Sequence, residues 1–377
     1  MNIYLDNNAT TRPLPEVIDA MSHHFAESYA NPGSRHAPGR KARQALEDAR
    51  ETIARVLDAD PKEVILTSGG TESTNMALFG FADQEPGTIL LTAGEHPATM
   101  ESCRQLEPRG WKIEFLDVDS DGLFVEGQLE QVDWNAVKIA SVILAHNETG
   151  VIQDIAPLAK KCEQHSVPFH LDAVQAVGKI PVSFRKSNVT SLALGAHKFH
   201  GPRGIGALLL KEGTRLPAFQ FGGHQEAGFR PGTEAVALVV GMAKALEIFE
   251  RDMGERMKQT LQRRDELQAG LMERCSPAVV NGSHTSKLPN TLNISFPGLH
   301  GEAMLVALDL EGIACSLGST CASGSADPAP ALVAMGCAED VYTSAVRFSV
   351  GLETTPDDVT LAIERISTVI NRMRSES

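Results

Sequence analysis

Lys198 stands in GAHKFHGPRG (195–204), just past an apolar run and among small and aromatic residues. Desolvation there pulls an ammonium pKa toward neutrality, which suits a lysine that forms a Schiff base. Asp172 closes another apolar run in HLDAVQ (170–175). A carboxylate so placed is costly unless a cation or several donors face it, and a protonated heterocyclic nitrogen would serve. SGGTES (68–73) joins a strand pattern to a helix pattern. Its glycines, Gly70 among them, allow a tight turn, the helix start offers N–H groups to a phosphate, and Thr71 adds a hydroxyl. It matches neither the P-loop nor the G-x-G-x-x-G pattern. His96 follows TILLTA in EHPATM, where an imidazole could stack on a flat cofactor and exchange protons. Alone, each residue has an ordinary structural explanation. In chain order, the phosphate turn, histidine, strand-end aspartate and lysine make the set that pyridoxal 5'-phosphate (PLP) requires.

A further candidate is Cys321, in GSTCASGSADPAP (318–330). That stretch reads as a mobile loop, so its thiol could reach more than one target. Cys315 alternates into IACSL and reads as structural. The twelve histidines are scattered without a convincing Cys/His ligand spacing, so no metal site is expected.

The elements that must carry these residues alternate. Residues 40–57 repeat apolar positions at helical spacing, EVILT (63–67) reads as a strand, and TESTNMALFGFA reads as a helix. Strand patterns recur at 88–93, 113–118, 137–145, 167–173, 189–195 and 204–210, several of them apolar throughout. Such runs suit a parallel sheet covered on both faces, and the alternation predicts an α/β fold. Residues 233–275 read as one long helix of the kind that links two domains. Strands at 290–296, 313–317 and 345–350, with helices at 301–311 and 356–374, then predict a smaller α+β domain. The expected division is 16–258 for the large domain, and 1–15 with 259–377 for the small one.

Length and composition agree with a folded chain of more than one domain: 377 residues, 42% hydrophobic and 22% charged. Net charge is −14, which argues against nucleic acid or an anionic membrane as partner. No apolar stretch approaches the ~20 residues that span a bilayer. MNIYLDNNATT lacks the pattern of a signal peptide. Six cysteines without a C-x-x-C pair suit a reducing cytoplasm.

The chain resembles, nearly end to end, the cysteine desulfurases of the NifS/IscS type, which are class-V aminotransferase relatives of PLP fold type I. The resemblance is carried by YLDNNATT (4–11), NPGSRHAPG (31–39), SGGTES (68–73), EH (95–96), NETG (147–150), LDAVQAVGK (171–179), HKFHGPRGIGAL (197–208), GGHQEAGFRPGT (222–233), SLGSTCASGS (316–325) and VRFSVG (346–351). It implies a mainly parallel seven-stranded sheet and a small domain built from both termini. It also implies roles. Lys198 would hold PLP, Asp172 would face the pyridine nitrogen, and Gln175 the ring hydroxyl. His96 would stack on the ring and assist proton transfer, while Gly70, Thr71 and His197 would bind the phosphate. Thr233 would reach the phosphate of the other subunit of a homodimer. Asn147 and Arg347 would hold the carboxylate of L-cysteine, for which a planar guanidinium is well suited. Cys321 would accept the sulfur as a persulfide, release alanine, and pass the sulfur to an acceptor protein such as an iron–sulfur cluster scaffold.

Three positions depart from the family pattern. Gly195, three before Lys198, replaces a phosphate-binding serine or threonine; His146 stands where asparagine is common; and the cysteine loop reads STC rather than SAC. The loop resembles the long-loop group, not the R-x-G-H-H-C group. The readings that compete are another class-V PLP enzyme, an aminotransferase or a selenocysteine lyase, which would not depend on Cys321 in the same way, and a non-catalytic sulfur-carrier scaffold. A scaffold would have no need of Lys198, Asp172 and His96 together.

Overall fold

The computed structural model describes residues 2–317 and 329–376. The chain enters through a two-residue strand, β1 (Ile3–Tyr4), and a helix at Pro15–Glu27. Seven strands follow: β2 (Val64–Thr67), β3 (Thr88–Thr92), β4 (Lys112–Leu116), β5 (Val137–Ile143), β6 (Phe169–Asp172), β7 (Ser191–Gly195) and β8 (Gly206–Leu210). They form one sheet in the order β2-β8-β7-β6-β5-β3-β4. Pairings from β7 through β6, β5 and β3 to β4 are parallel, while β8 runs antiparallel to both β7 and β2. The sheet is thus mainly parallel, with a reversed strand near one edge.

Alternate residues of these strands feed opposite faces, as the pleat requires. Leu66, Leu90, Leu171 and Leu209 enter one apolar cluster, and Ile65, Ile89, Leu91 and Leu208 enter another across the sheet. Both faces are covered by helices, which explains why the strands read as unbroken apolar runs. The helix Ala37–Val56 buries Ala42, Leu46, Ala49 and Ile53, a stripe at helical spacing, and His36 caps its start by accepting from the Gly39 N–H. The helix Pro15–Glu27 has no counterpart in the sequence reading. Only Val17 of its residues is buried, whereas Ile18 and Phe25 are exposed, so no apolar face could be read from its periodicity.

The long helix is continuous over Val236–Arg274. Its first half packs Val239, Met242 and Leu246 against the sheet cluster, and its second half carries Leu267 and Leu271 into a separate cluster. That second cluster surrounds β9 (Val279–Val280), β10 (Thr291–Ser295), β11 (Ile313–Ala314) and β12 (Ala345–Ser349), with the final helix at Pro356–Glu376. β12, β10 and β9 pair antiparallel, while β1 pairs in parallel with β11. Ile3 and Leu5 lie in the same cluster, so both ends of the chain build it. The strand expected at 313–317 ends at Ala314, because Ser316 turns away to bridge Arg347. A short helix starts at Pro330, inside the stretch expected to be loop; residues 318–328 of that stretch, with Cys321, lie outside the described residues.

Candidate active site

The parallel strands β3, β5, β6 and β7 end on the same rim of the sheet, where ligands collect in open α/β folds. Each releases a polar residue there: His96 after β3, Asn147 after β5, Asp172 at the end of β6 and Lys198 after β7. All four line one cavity of about 620 Å³ together with Gly70, Thr71, Gln175 and His197. The sequence offered these residues as separate fragments; parallel pairing brings their strand ends together.

Asp172 is buried, and its carboxylate accepts the Val174 N–H at 3.0 Å. His96 caps the helix Pro97–Leu106, its Nδ1 accepting the Ala98 N–H at 3.1 Å. That bond leaves the other ring nitrogen to carry the proton of a neutral imidazole. Burial favours the neutral form by lowering the His96 pKa, opposed by Asp172 and assisted by Lys198 and His146. Lys198 donates from Nζ to the carbonyls of Asn8 at 2.6 Å and Ala9 at 3.0 Å. Gln175 donates from Nε2 to the same Asn8 carbonyl at 2.8 Å. His197 faces Thr10 Oγ1 at 3.2 Å, and burial with the nearby Lys198 charge pushes its pKa down to about 4.

The turn before the helix Gly70–Phe81 depends on glycine. Gly69 has φ +154°, a conformation that side chains rarely adopt, and a Cβ on Gly70 would press to 2.4 Å from Val174 Cγ2. No side chain caps this helix start, and its first residues, Gly70 and Thr71, line the cavity. At Gly195 a Cβ would lie 3.4 Å from the Gly70 nitrogen, an ordinary contact. A Cβ is therefore accommodated at this position.

Arg347 sits behind the cavity wall rather than on it. It donates from NH1 to the Asn147 carbonyl at 3.0 Å and from NH2 to Asp6 at 2.7 Å, while its buried Nε has no hydrogen-bond partner among the described residues. The guanidinium is thus held beside the cavity by Asn147 and Asp6. Thr233 is exposed and does not line the cavity of its own chain. Cys321 lies outside the described residues, but the strand-like residue Ser316 before it exchanges backbone hydrogen bonds with Arg347. Burial raises the thiol pKa of all five described cysteines, to about 12 for Cys103, Cys162 and Cys315. The reading of Cys315 as structural agrees with its contact to the second apolar cluster.

Two contributions went unassigned in the sequence. Asn8, within YLDNNATT, holds Lys198 and Gln175 through one carbonyl. Glu95, beside His96, is buried and accepts from the Ile143 N–H at 2.8 Å and from the Thr92 hydroxyl. Desolvation pushes its pKa up to about 8, and its other carboxyl oxygen has no partner among the described residues. Two adjacent asparagines near a chain end, and an acid directly after an apolar strand, were the available signals.

Comparison with known proteins agrees with this geometry. The family description Aminotransferase class-V matches residues 3–361. The chain belongs to the class-V aminotransferase family. A cysteine desulfurase of Nostoc sp. is 39% identical over 377 residues, covering all of this chain and 94% of the relative. A solved NifS-like protein superposes with a TM-score of 0.92 at 34% identity, covering 99% of this chain and 100% of the other. The structure of SspA in complex with cysteine superposes with a TM-score of 0.79 at 28% identity, covering 93% and 99%. The fold is that of the NifS-like, fold type I PLP enzymes, and the family is PLP-dependent. The cavity fits that cofactor: it has the volume of a small-molecule site, an acid, a lysine, a flat imidazole and a bare helix start.

Proposed function

We propose that the protein is a cysteine desulfurase that uses PLP to move the sulfur of L-cysteine onto Cys321, releasing L-alanine. The observation that carries this reading is the convergence of Lys198, Asp172 and His96 on one cavity, backed by the buried Arg347. In the cavity, Lys198 would hold PLP, Asp172 its ring nitrogen, Gln175 its ring oxygen, and His96 its face. Gly70, Thr71 and His197 would take the phosphate. When bound, PLP supplies an electron sink that lets the substrate α-carbon lose a proton. Lys198 Nζ takes that proton, and the neutral His96, which lines the same cavity, assists proton transfer. Arg347, which holds the Asn147 carbonyl, would together with Asn147 fix the substrate carboxylate. The Cys321 thiolate then bonds to the substrate sulfur as the carbon–sulfur bond breaks. The electrons of that bond stay with the carbon skeleton, which takes up a proton and leaves as alanine. The raised thiols elsewhere leave Cys321 as the nucleophile of choice.

The same reading has a homodimer, in which Thr233 meets the partner's phosphate site. Its support is the exposure of Thr233, and of Phe221 close by at 92%. The division into 16–258 and 1–15 with 259–377 is supported by the separate apolar clusters. The persulfide would pass to an acceptor protein, an iron–sulfur cluster scaffold among the candidates. A reducing cytoplasm suits the five unpaired described cysteines. Among the described residues no helix is long and apolar enough to cross a membrane.

The test is incubation of the PLP-loaded protein with L-cysteine and a reductant, measuring sulfide and alanine. Equal amounts of both, and a peptide containing Cys321 one sulfur atom heavier after a single turnover without reductant, support the reading. Intact turnover in Cys321→Ala would favour an aminotransferase instead.

A further inference from the structure

Behind the cavity lies a second lysine. Lys179 is partly buried, four residues after Gln175. Gly178, at φ +76°, lets this segment press against the turn that carries Lys198: a Cβ on Gly178 would meet Phe199 Cβ at 2.1 Å. Lys179 Nζ donates to Gln175 Oε1 at 2.5 Å and to Asn8 Oδ1 at 2.9 Å. Both acceptors are amide oxygens, and among the described residues Lys179 forms no ion pair. Lys179 also lines a small cleft of about 40 Å³ on the far side of Lys198, not the main cavity.

The orientation of each amide follows from its partners. Asn8 Nδ2 donates to Thr291 Oγ1, and Asn8 Oδ1 accepts from Asn290 Nδ2, so Asn8 can offer Lys179 only an acceptor. Gln175 Nε2 donates to the Asn8 carbonyl, which leaves Oε1 for Lys179. With Oε1 turned to Lys179 and one N–H of Nε2 on the Asn8 carbonyl, the remaining N–H of Nε2 is the donor that Gln175 has for the cavity it lines. An amide fixed in that sense favours an anionic oxygen opposite it.

We propose that Lys179 is a positioning residue that fixes Gln175 as a hydrogen-bond donor toward the ring oxygen of bound PLP. The inference rests on the reading that Gln175 faces that oxygen. Lys179 locks Gln175 through Oε1 while the Asn8 carbonyl ties Gln175 and Lys198 to one point. Burial and the charges of Lys198 and Arg347 lower the Lys179 pKa, and even a neutral amine keeps two N–H groups for these two oxygens. The other charged and titratable groups around it are His197 and His200 on the Lys198 turn, Arg256 on the long helix, Asp6 bound to Arg347, and Asp172 on its own segment. None of them hydrogen-bonds to Gln175 Oε1.

The experiment titrates the cofactor absorbance of the PLP-loaded protein against pH in wild type, Lys179→Met, Lys179→Arg, Gln175→Ala and the Gln175→Ala/Lys179→Met double variant. Loss of the lock weakens the donor to the ring oxygen, so a proton shared with that oxygen is held more tightly. The midpoint in Lys179→Met should rise by at least about half a pH unit. Lys179→Arg, which keeps donors at this place, should stay within a few tenths of wild type. In the Gln175→Ala background, Lys179→Met should move the midpoint no further, since the effect runs through Gln175. An unmoved midpoint in Lys179→Met, or an undiminished shift in the double variant, overturns the proposal. Should Lys179→Met not fold, a Lys179→Arg midpoint displaced by half a unit or more overturns it, and a wild-type midpoint supports it. Absence of any cofactor band in wild type defeats both this inference and the reading beneath it. A normal band whose midpoint ignores Lys179 defeats this inference alone.

Discussion

The two rims of the central sheet each carry a hollow, and only one has the character of an active site. At the rim where β3, β5, β6 and β7 end, the cavity of about 620 Å³ gathers a buried aspartate, a histidine and a lysine, with the Arg347 guanidinium behind it. At the rim where β6 and β7 begin, a cleft of about 280 Å³ is lined by Cys162, Glu163, Asn188, Thr190 and the exposed Lys211. There the Cys162 thiol is pushed up to about 12 by burial, and the charged side chains are solvated. The first hollow has about twice the volume of the second, but the sharper difference is chemical. What separates them is the gathering of Asp172, His96 and Lys198, an acid, an imidazole and an amine, on one wall.

The hardest blow to that contrast is Lys198→Ala. It should reduce desulfurase turnover to below about one part in 10³ by removing both the cofactor attachment and the general base. The check is sulfide release, together with the site of borohydride labelling in wild type, which should be Lys198 and not Lys179 or Lys211.

Gly195→Ser sharpens the same rim in the opposite direction. A Cβ has space there, and a hydroxyl beside the Gly70 N–H would give the phosphate one more donor. One added hydrogen bond to a charged group should tighten PLP by roughly tenfold. Equilibrium titration of the apo protein with PLP measures it, and unchanged affinity would show that the position does not face the phosphate.

Glu95 offers a smaller effect, seen in stability rather than rate. Its pKa is raised to about 8 in the folded chain, so the native state holds a proton that the unfolded chain has already released. Stability from this group is therefore present at low pH and is lost as pH rises toward 8. The buried His197 and His200, with pKa values near 4, act in the opposite sense, but only below the ordinary histidine pKa of about 6.5. Between about pH 6.5 and 8, wild type should lose thermal stability, and Glu95→Gln should flatten that slope. Parallel melting curves for the two proteins across this window would refute the assignment.

The least effect belongs to the other rim. Lys211→Ala should leave turnover unchanged and stability within about 0.5 kcal/mol, because the side chain is exposed. A large loss of activity would mean that the second hollow does more than the contrast allows.

Much of this architecture was legible because apolar runs and turn residues report local structure directly. The strand patterns near 88–93, 137–145 and 189–195 appear as β3, β5 and β7, with ends that differ by a few residues at most. The long helix was legible from its periodicity and is continuous. The helix Pro15–Glu27 was not, since its exposed Ile18 and Phe25 obscure the stripe that marks a buried face. Chemistry-bearing residues were legible in kind, while their supports were not. Asn8 is polar and close to the chain start, with nothing local to show that it meets Gln175, Lys179 and Lys198.

By itself, then, the sequence determined the α/β alternation, the helix that joins two apolar clusters, and the side chains able to hold a phosphate, an aldehyde and a ring nitrogen. These follow from residue type and spacing along the chain, which act over a turn or a strand. Tertiary structure decided which ends of the strands share a rim, that the first residues return to the final strands, and that Asn8 O anchors both Lys198 and Gln175. It also set Arg347 behind the cavity wall, on Asn147 and Asp6, and Thr233 outside its own chain's cavity. Such features arise from contacts between residues up to several hundred positions apart, whose burial and donor–acceptor matching no local pattern encodes.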